Sequence, residues 1–147
     1  MCSSDLEGKL PLSAYQEASS FKVYMTDTGL LCAKFGVPPQ AVLAETPSFE
    51  GFKGALAENY VCSALTTSGY TPFYWESRGE AEGDFVIQDR SGGIVPIEVK
   101  SADHVRSKSL SQFVGRYNSA YSVRISARNF GFENTIRSVP LYAAFCI

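Results

Sequence analysis

The sequence predicts an α/β fold, a mixed central sheet flanked by helices. Three observations predict it. A long helical stretch covers residues 52–67. Two short apolar runs, residues 83–87 and 94–100, flank a turn-rich connection and read as a hairpin. A second helical stretch and an alternating run follow, giving the order helix, strand, hairpin, helix, strand.

The elements follow in order. Residues 1–20 are mostly polar, with one Leu-Pro-Leu segment, and residues 21–25 form a short apolar run. Thr26 or Asp27 can cap a short helix through Leu30, Leu31 and Cys32, which Gly36-Val37-Pro38-Pro39 ends. Residues 40–49 read as a second short helix and a loop. Residues 1–50 thus form a mostly helical extension to a single domain spanning 1–147. The helix of 52–67 stops at Ser68-Gly69. Phe73-Tyr74-Trp75 reads as a strand of core aromatics, and residues 77–83 as a loop. In the hairpin, pairing of Gln88 with Ile94 places Asp84 opposite Glu98. Pro96 has no N–H for a ladder, so its strand needs an edge or a bulge there. Residues 105–117 carry an apolar stripe of Val105, Leu110, Phe113, Val114 and Tyr117. Residues 121–125 alternate as a strand, and residues 140–147 form an apolar segment of undecided class.

Composition narrows the function. With 147 residues, 45% hydrophobic and 19% charged, the chain suits one globular domain. No run of about 18 apolar residues is present, so no membrane partner is expected. Its start lacks signal-peptide character, and its four cysteines are widely spaced. Both favour a cytoplasmic chain with reduced thiols and no zinc site. No phosphate-binding loop motif occurs. Residues 1–99 hold 6 Lys/Arg against 13 Asp/Glu, whereas residues 100–147 hold 7 against 2. A basic surface beside an acidic site suits phosphodiester chemistry. Alternatively, Arg106, Lys108, Arg116, Arg124, Arg128 and Arg137 are ordinary solvated residues.

The candidate site residues are Glu58, Asp84, Glu98 and Lys100. Side chains alternate along a strand, so Glu98 and Lys100 share a face. An Asp84 directly opposite Glu98 would sit with Cβ atoms roughly 4.5–5.5 Å apart. Two carboxylates that close repel unless a cation or a raised pKa intervenes. Their hard oxygens suit Mg²⁺ or Mn²⁺. Lys100 lies on the order of 6–7 Å beyond Glu98 and can orient a water or stabilise an oxyanion. The plainer reading is a Glu/Lys pair on an exposed sheet face, worth ~0–1 kcal/mol. Glu58 shares a helical stripe with Ala55, Cys62 and Leu65, where an unpaired carboxylate is costly. Either it reaches Lys100 or a metal, or it lies at the stripe's edge in water. His104 is the only histidine and reads as a loop residue.

Asp84 followed by Glu98-Val99-Lys100, with Glu58 on a preceding helix, resembles the PD-(D/E)XK nuclease superfamily over residues 52–126. A closer likeness runs from Pro11 onward. Its blocks are Leu12-Ser13-Ala14-Tyr15, residues 21–31, residues 54–59, Tyr74-Trp75-Glu76-Ser77, residues 84–87, residues 96–101 and residues 136–142. Together they resemble the C-terminal domain of unknown function found behind the ATPase module of prokaryotic AAA-family ATPases. That domain is itself similar to PD-(D/E)XK nucleases. The resemblance implies a restriction-endonuclease-like fold. Asp84 and Glu98 would hold Mg²⁺ or Mn²⁺, Lys100 would position the attacking water, and Glu58 would assist. It implies DNA as substrate and the ATPase module of a longer parent as partner. Gly83 stands where the superfamily's name has proline, and the ATPase module is absent from this chain. The alternative is a non-catalytic module that binds nucleic acid or protein and tunes an attached ATPase.

Overall fold

The computed structural model describes residues 2–4, 9–15, 17–44, 49–77, 81–101 and 108–147. His104, Val105 and Arg106 lie outside the described residues, as do 78–80 of the loop expected at 77–83, whose remaining residues are strand: Ser77 ends one strand and 81–83 begin the next.

The N-terminal region is not only helical. Strands β1 (Cys2–Ser4) and β2 (Glu17–Lys22) pair antiparallel around a 3-10 turn at Leu12–Tyr15. Two short helices follow, α1 (Thr28–Lys34) and α2 (Pro39–Leu43). Asp27 caps α1, its Oδ1 accepting from the Leu30 N–H at 3.0 Å. Helix α3 (Glu50–Thr67) ends where Gly69 takes φ +88°. The Tyr70 N–H there bonds the Leu65 carbonyl at 3.0 Å.

The main sheet comprises β3 (Phe73–Ser77), β4 (Ala81–Gln88), β5 (Ile94–Val99), β6 (Ser122–Ser126), β7 (Gly131–Glu133) and β8 (Ile136–Pro140). Helix α4 (Lys108–Tyr117) links β5 to β6. The strand order is β3-β4-β5-β6-β8-β7. β3, β4 and β5 pair antiparallel, β5-β6 and β6-β8 pair parallel, and β7-β8 pair antiparallel. The sheet is therefore mixed, with helices on both faces. Gln88 pairs with Ile94, the register the hairpin pattern predicts.

β5 lies inside the sheet, yet Pro96 is accommodated. The Val99 N–H turns toward β4 and the Lys100 N–H toward the Ile125 carbonyl of β6, at 2.8 Å. Even-numbered residues of β5 therefore aim their N–H groups at β6. The β6 ladder begins only at Ile97, so Pro96 sits just before its first pair, where a missing N–H interrupts nothing further along.

Alternation divides the core into two layers. Phe85, Ile87, Val95, Ile97 and Val99 face α3, packing with Ala57, Val61 and Leu65. On the opposite face, Phe73, Trp75 and Val86 pack with Phe113 of α4 and Leu12. Trp75 meets Phe113 and Tyr117 edge-on, and its indole N–H donates to the Tyr117 hydroxyl at 3.1 Å.

β7 and β8 escape the sequence reading. Their connection, Asn134-Thr135, adopts φ of +50° and +62° without a glycine to announce it. The apolar C-terminal segment is a 3-10 stretch, Leu141–Cys146, with Ala143 and Ala144 buried.

Candidate functional site

The candidate site gathers at the start of β4 and the end of β5. A register irregularity interrupts β3-β4 between Phe73 and Trp75. Regular β4-β5 pairing runs from Gln88 and Ile94 back to Phe85 and Ile97. At the next position β4 meets its neighbour through a side chain instead: the Val99 N–H donates to Asp84 Oδ2 at 2.7 Å.

Asp84 is partly buried, and burial pushes its carboxyl up to about 6. The Val99 N–H and the Lys100 and Lys22 charges pull the other way. The acidic neighbour that raises it most is Glu58, across on α3. The sequence pattern points to Glu98 as that neighbour, but Glu98 has its own cation. It is only 4% exposed, and Oε1 meets Lys100 Nζ at 3.1 Å and the Ser109 hydroxyl at 3.2 Å. The exposed-pair reading of Glu98 and Lys100 thus fails on one side, because the carboxylate is buried.

Glu58 is half-buried and flanks the packed stripe of α3, since Ala55 is exposed while Cys62 and Leu65 are buried. Its Oε2 accepts from the Tyr24 hydroxyl at 3.3 Å. The next residue, Asn59, is 1% exposed and takes the Met25 N–H on Oδ1 at 2.7 Å. Its Nδ2 has no partner among the described residues.

Sequence reasoning did not single out Lys22, Tyr24, Asn59 or Ser109. Lys22 is paired with Glu82 and lies 5.1 Å from the Tyr74 ring centroid. Burial works against its charge, but the Glu82 bond and the Glu82, Glu58 and Asp84 carboxylates carry its pKa above the ordinary lysine value. Its signal was position alone, in the apolar run that precedes α1. Arg124 is the register partner of Glu98 on β6. Other basic residues of the last third are dispersed: Arg116 lies over Tyr117 on α4, and Arg137 of β8 over Tyr121.

Among the described residues, no group of three or more His, Cys, Asp or Glu side chains converges as a metal cage. No helix among them is long and apolar enough to cross a membrane.

A family model described as a domain of unknown function, DUF4143, matches residues 53–144. The chain belongs to this family. No curated protein and no solved structure matches it. Glu58, Asp84, Glu98 and Lys100 all lie within the DUF4143 match, whereas Lys22 and Tyr24 precede it.

Proposed function

We propose that this DUF4143 domain is nuclease-like and hydrolyses phosphodiester bonds of DNA with Mg²⁺ or Mn²⁺. Asp84 carries the reading. A carboxylate that burial pushes up to about 6, coupled to Glu58 and two lysines, is a costly arrangement of the kind found at reactive sites. The mixed sheet flanked by helices is the kind of fold that the resemblance implies, and the order α3, β3, β4, β5, α4, β6 is the one read from the sequence.

The donor set fits such an ion. Mg²⁺ takes one or two carboxylates and keeps several waters, so a three-residue cage is not required. Asp84 and Glu98 would hold it through hard carboxylate oxygens, the donors such an ion prefers. When bound, the ion would lower the pKa of a water and neutralise charge on the phosphate. Lys100 keeps its ammonium at the mouth of the site, its side chain 37% exposed while Glu98 anchors it. There it can hold a water or stabilise a developing oxyanion. Glu58, oriented by Tyr24, supplies further negative charge beside Asp84.

A second reading has its own support. Glu98 already holds Lys100 and Ser109, a self-satisfied arrangement suited to a non-catalytic module. In that case the domain binds nucleic acid or protein and tunes an AAA-family ATPase module of a longer parent. Mn²⁺ titration by calorimetry on wild type and Asp84→Ala, with plasmid cleavage on the same samples, separates the two. The nuclease reading expects metal binding lost in the variant and cleavage by wild type alone. Binding without cleavage favours the regulatory module. Equal cleavage by both proteins refutes the nuclease assignment.

A further inference from the structure

A cleft of about 300 Å³ opens beside α4, over the first residues of β6 and β8. Helix α4 packs mainly against β4 and β5, to one side of this corner of the sheet. Val123 and Ile125 turn to the α3 layer, so Ser122 turns to the α4 side. Parallel pairing sets Ile136 beside it on the same face. Ser122 forms the floor of the cleft, and Leu110, Val114 and Ile136 form apolar walls. Ser122 is 0% exposed, and its Oγ has no hydrogen-bond partner among the described residues. A buried hydroxyl left unpaired is costly, and a bound group that pairs with it removes the cost. At the rim, Gly115 stands inside α4, where a glycine weakens a helix. A Cβ at this position would meet nothing within 4 Å, so the space above Gly115 is open. Asn134 lines the cleft too, and the Ser122 N–H ties that turn to β6 by donating to the Thr135 carbonyl at 2.9 Å.

We propose that this cleft binds an uncharged heterocycle of nucleobase size. Its volume lies at the lower end of the roughly 300–1,000 Å³ of small-ligand sites. No charged side chain lines it among the described residues, so a charged ligand would lose hydration without gaining a counter-charge. Apolar side chains from both α4 and β8 suit the faces of a flat ring. The Ser122 hydroxyl and the Asn134 amide each offer a donor and an acceptor, as the edge of a nucleobase does. The cleft is separate from the Asp84 and Glu98 carboxylates and stands without the metal reading. Ser122 opens β6, whereas Glu98 is aligned with Arg124 further along it.

The test is titration of the full chain with adenosine, inosine, cytidine and uridine, all uncharged, followed by backbone amide NMR shifts, with ribose alone as the control. At least one nucleoside is expected to bind, with shifts centred on residues 110–115 and 134–136 that ribose does not reproduce. Ser122→Ala is expected to weaken binding about 2–10-fold, the worth of one neutral hydrogen bond. The same variant should melt no lower than wild type when free, because it removes an unpaired hydroxyl. Gly115→Leu fills the cleft and is expected to abolish binding; if it does not fold, Ser122→Ala decides alone. Four results each overturn the assignment: no nucleoside binding at millimolar concentration, ribose binding equally well, shifts confined to other residues, or wild-type affinity in Ser122→Ala. A Ser122→Ala protein that melts well below wild type also overturns it, because the hydroxyl would then serve the packing of the fold.

Discussion

Replacing Asp84 by Asn makes the domain more stable at neutral pH. The carboxyl is raised from 3.8 to about 6 with burial as the main cause. That rise of roughly two pKa units corresponds to about 3 kcal/mol against the ionised folded form. The folded state therefore holds a proton that the unfolded chain has released between about pH 4 and 6. Stability falls as pH rises through that window and stays low above it. Asn cannot ionise and escapes the penalty, and its Oδ1 can still accept the Val99 N–H that Asp84 takes at 2.7 Å. The advantage of Asp84→Asn over wild type should grow by about 2 kcal/mol between about pH 4.5 and 8. Comparing the two proteins cancels every other titrating group to first order. Urea denaturation in metal-free buffer, followed by the emission of Trp75, the single tryptophan, measures it. An Asn variant that is less stable near pH 8, or whose advantage does not change with pH, would refute the burial argument.

Two further outcomes follow from the packing. Lys100→Met removes the cation that sits 3.1 Å from the buried Glu98 carboxylate, and should destabilise by about 1–3 kcal/mol. Adding Glu98→Gln should recover much of that loss, and a double-mutant cycle by denaturation shows whether the two side chains couple. Phe113→Ala removes a ring that is 1% exposed and in edge-on contact with Trp75, costing about 3–5 kcal/mol. Denaturation measures the loss, and a red-shifted Trp75 emission in the folded variant would place it beside the indole.

By itself the sequence determined the long helix α3, the central hairpin and its register, and the helix and strand that follow it. Alternation in 83–87 and 94–100, with Gln88 and Ile94 closing the turn, set the hairpin register, because a slip of one residue would turn every apolar side chain to the wrong face. The Asp27 cap and the stop at Ser68-Gly69 are equally local and are realised, and of the apolar stripe of α4 Leu110 and Phe113 are buried, with Tyr117 packed beside them. Long-range partners were not legible. β8 adds to β6 in parallel although its residues are far from alternating, and the glycine-free turn at Asn134-Thr135 gives no local warning. Only the tertiary structure decided which charge meets which. It gave Glu98 the Lys100 ammonium and the Ser109 hydroxyl, added Glu58 to the charges that act on Asp84, and brought Lys22 and Tyr24 from the distant N-terminal segment. Backbone propensities and turn residues act over a few positions, whereas the field at a buried carboxylate is the sum of whatever the fold packs around it.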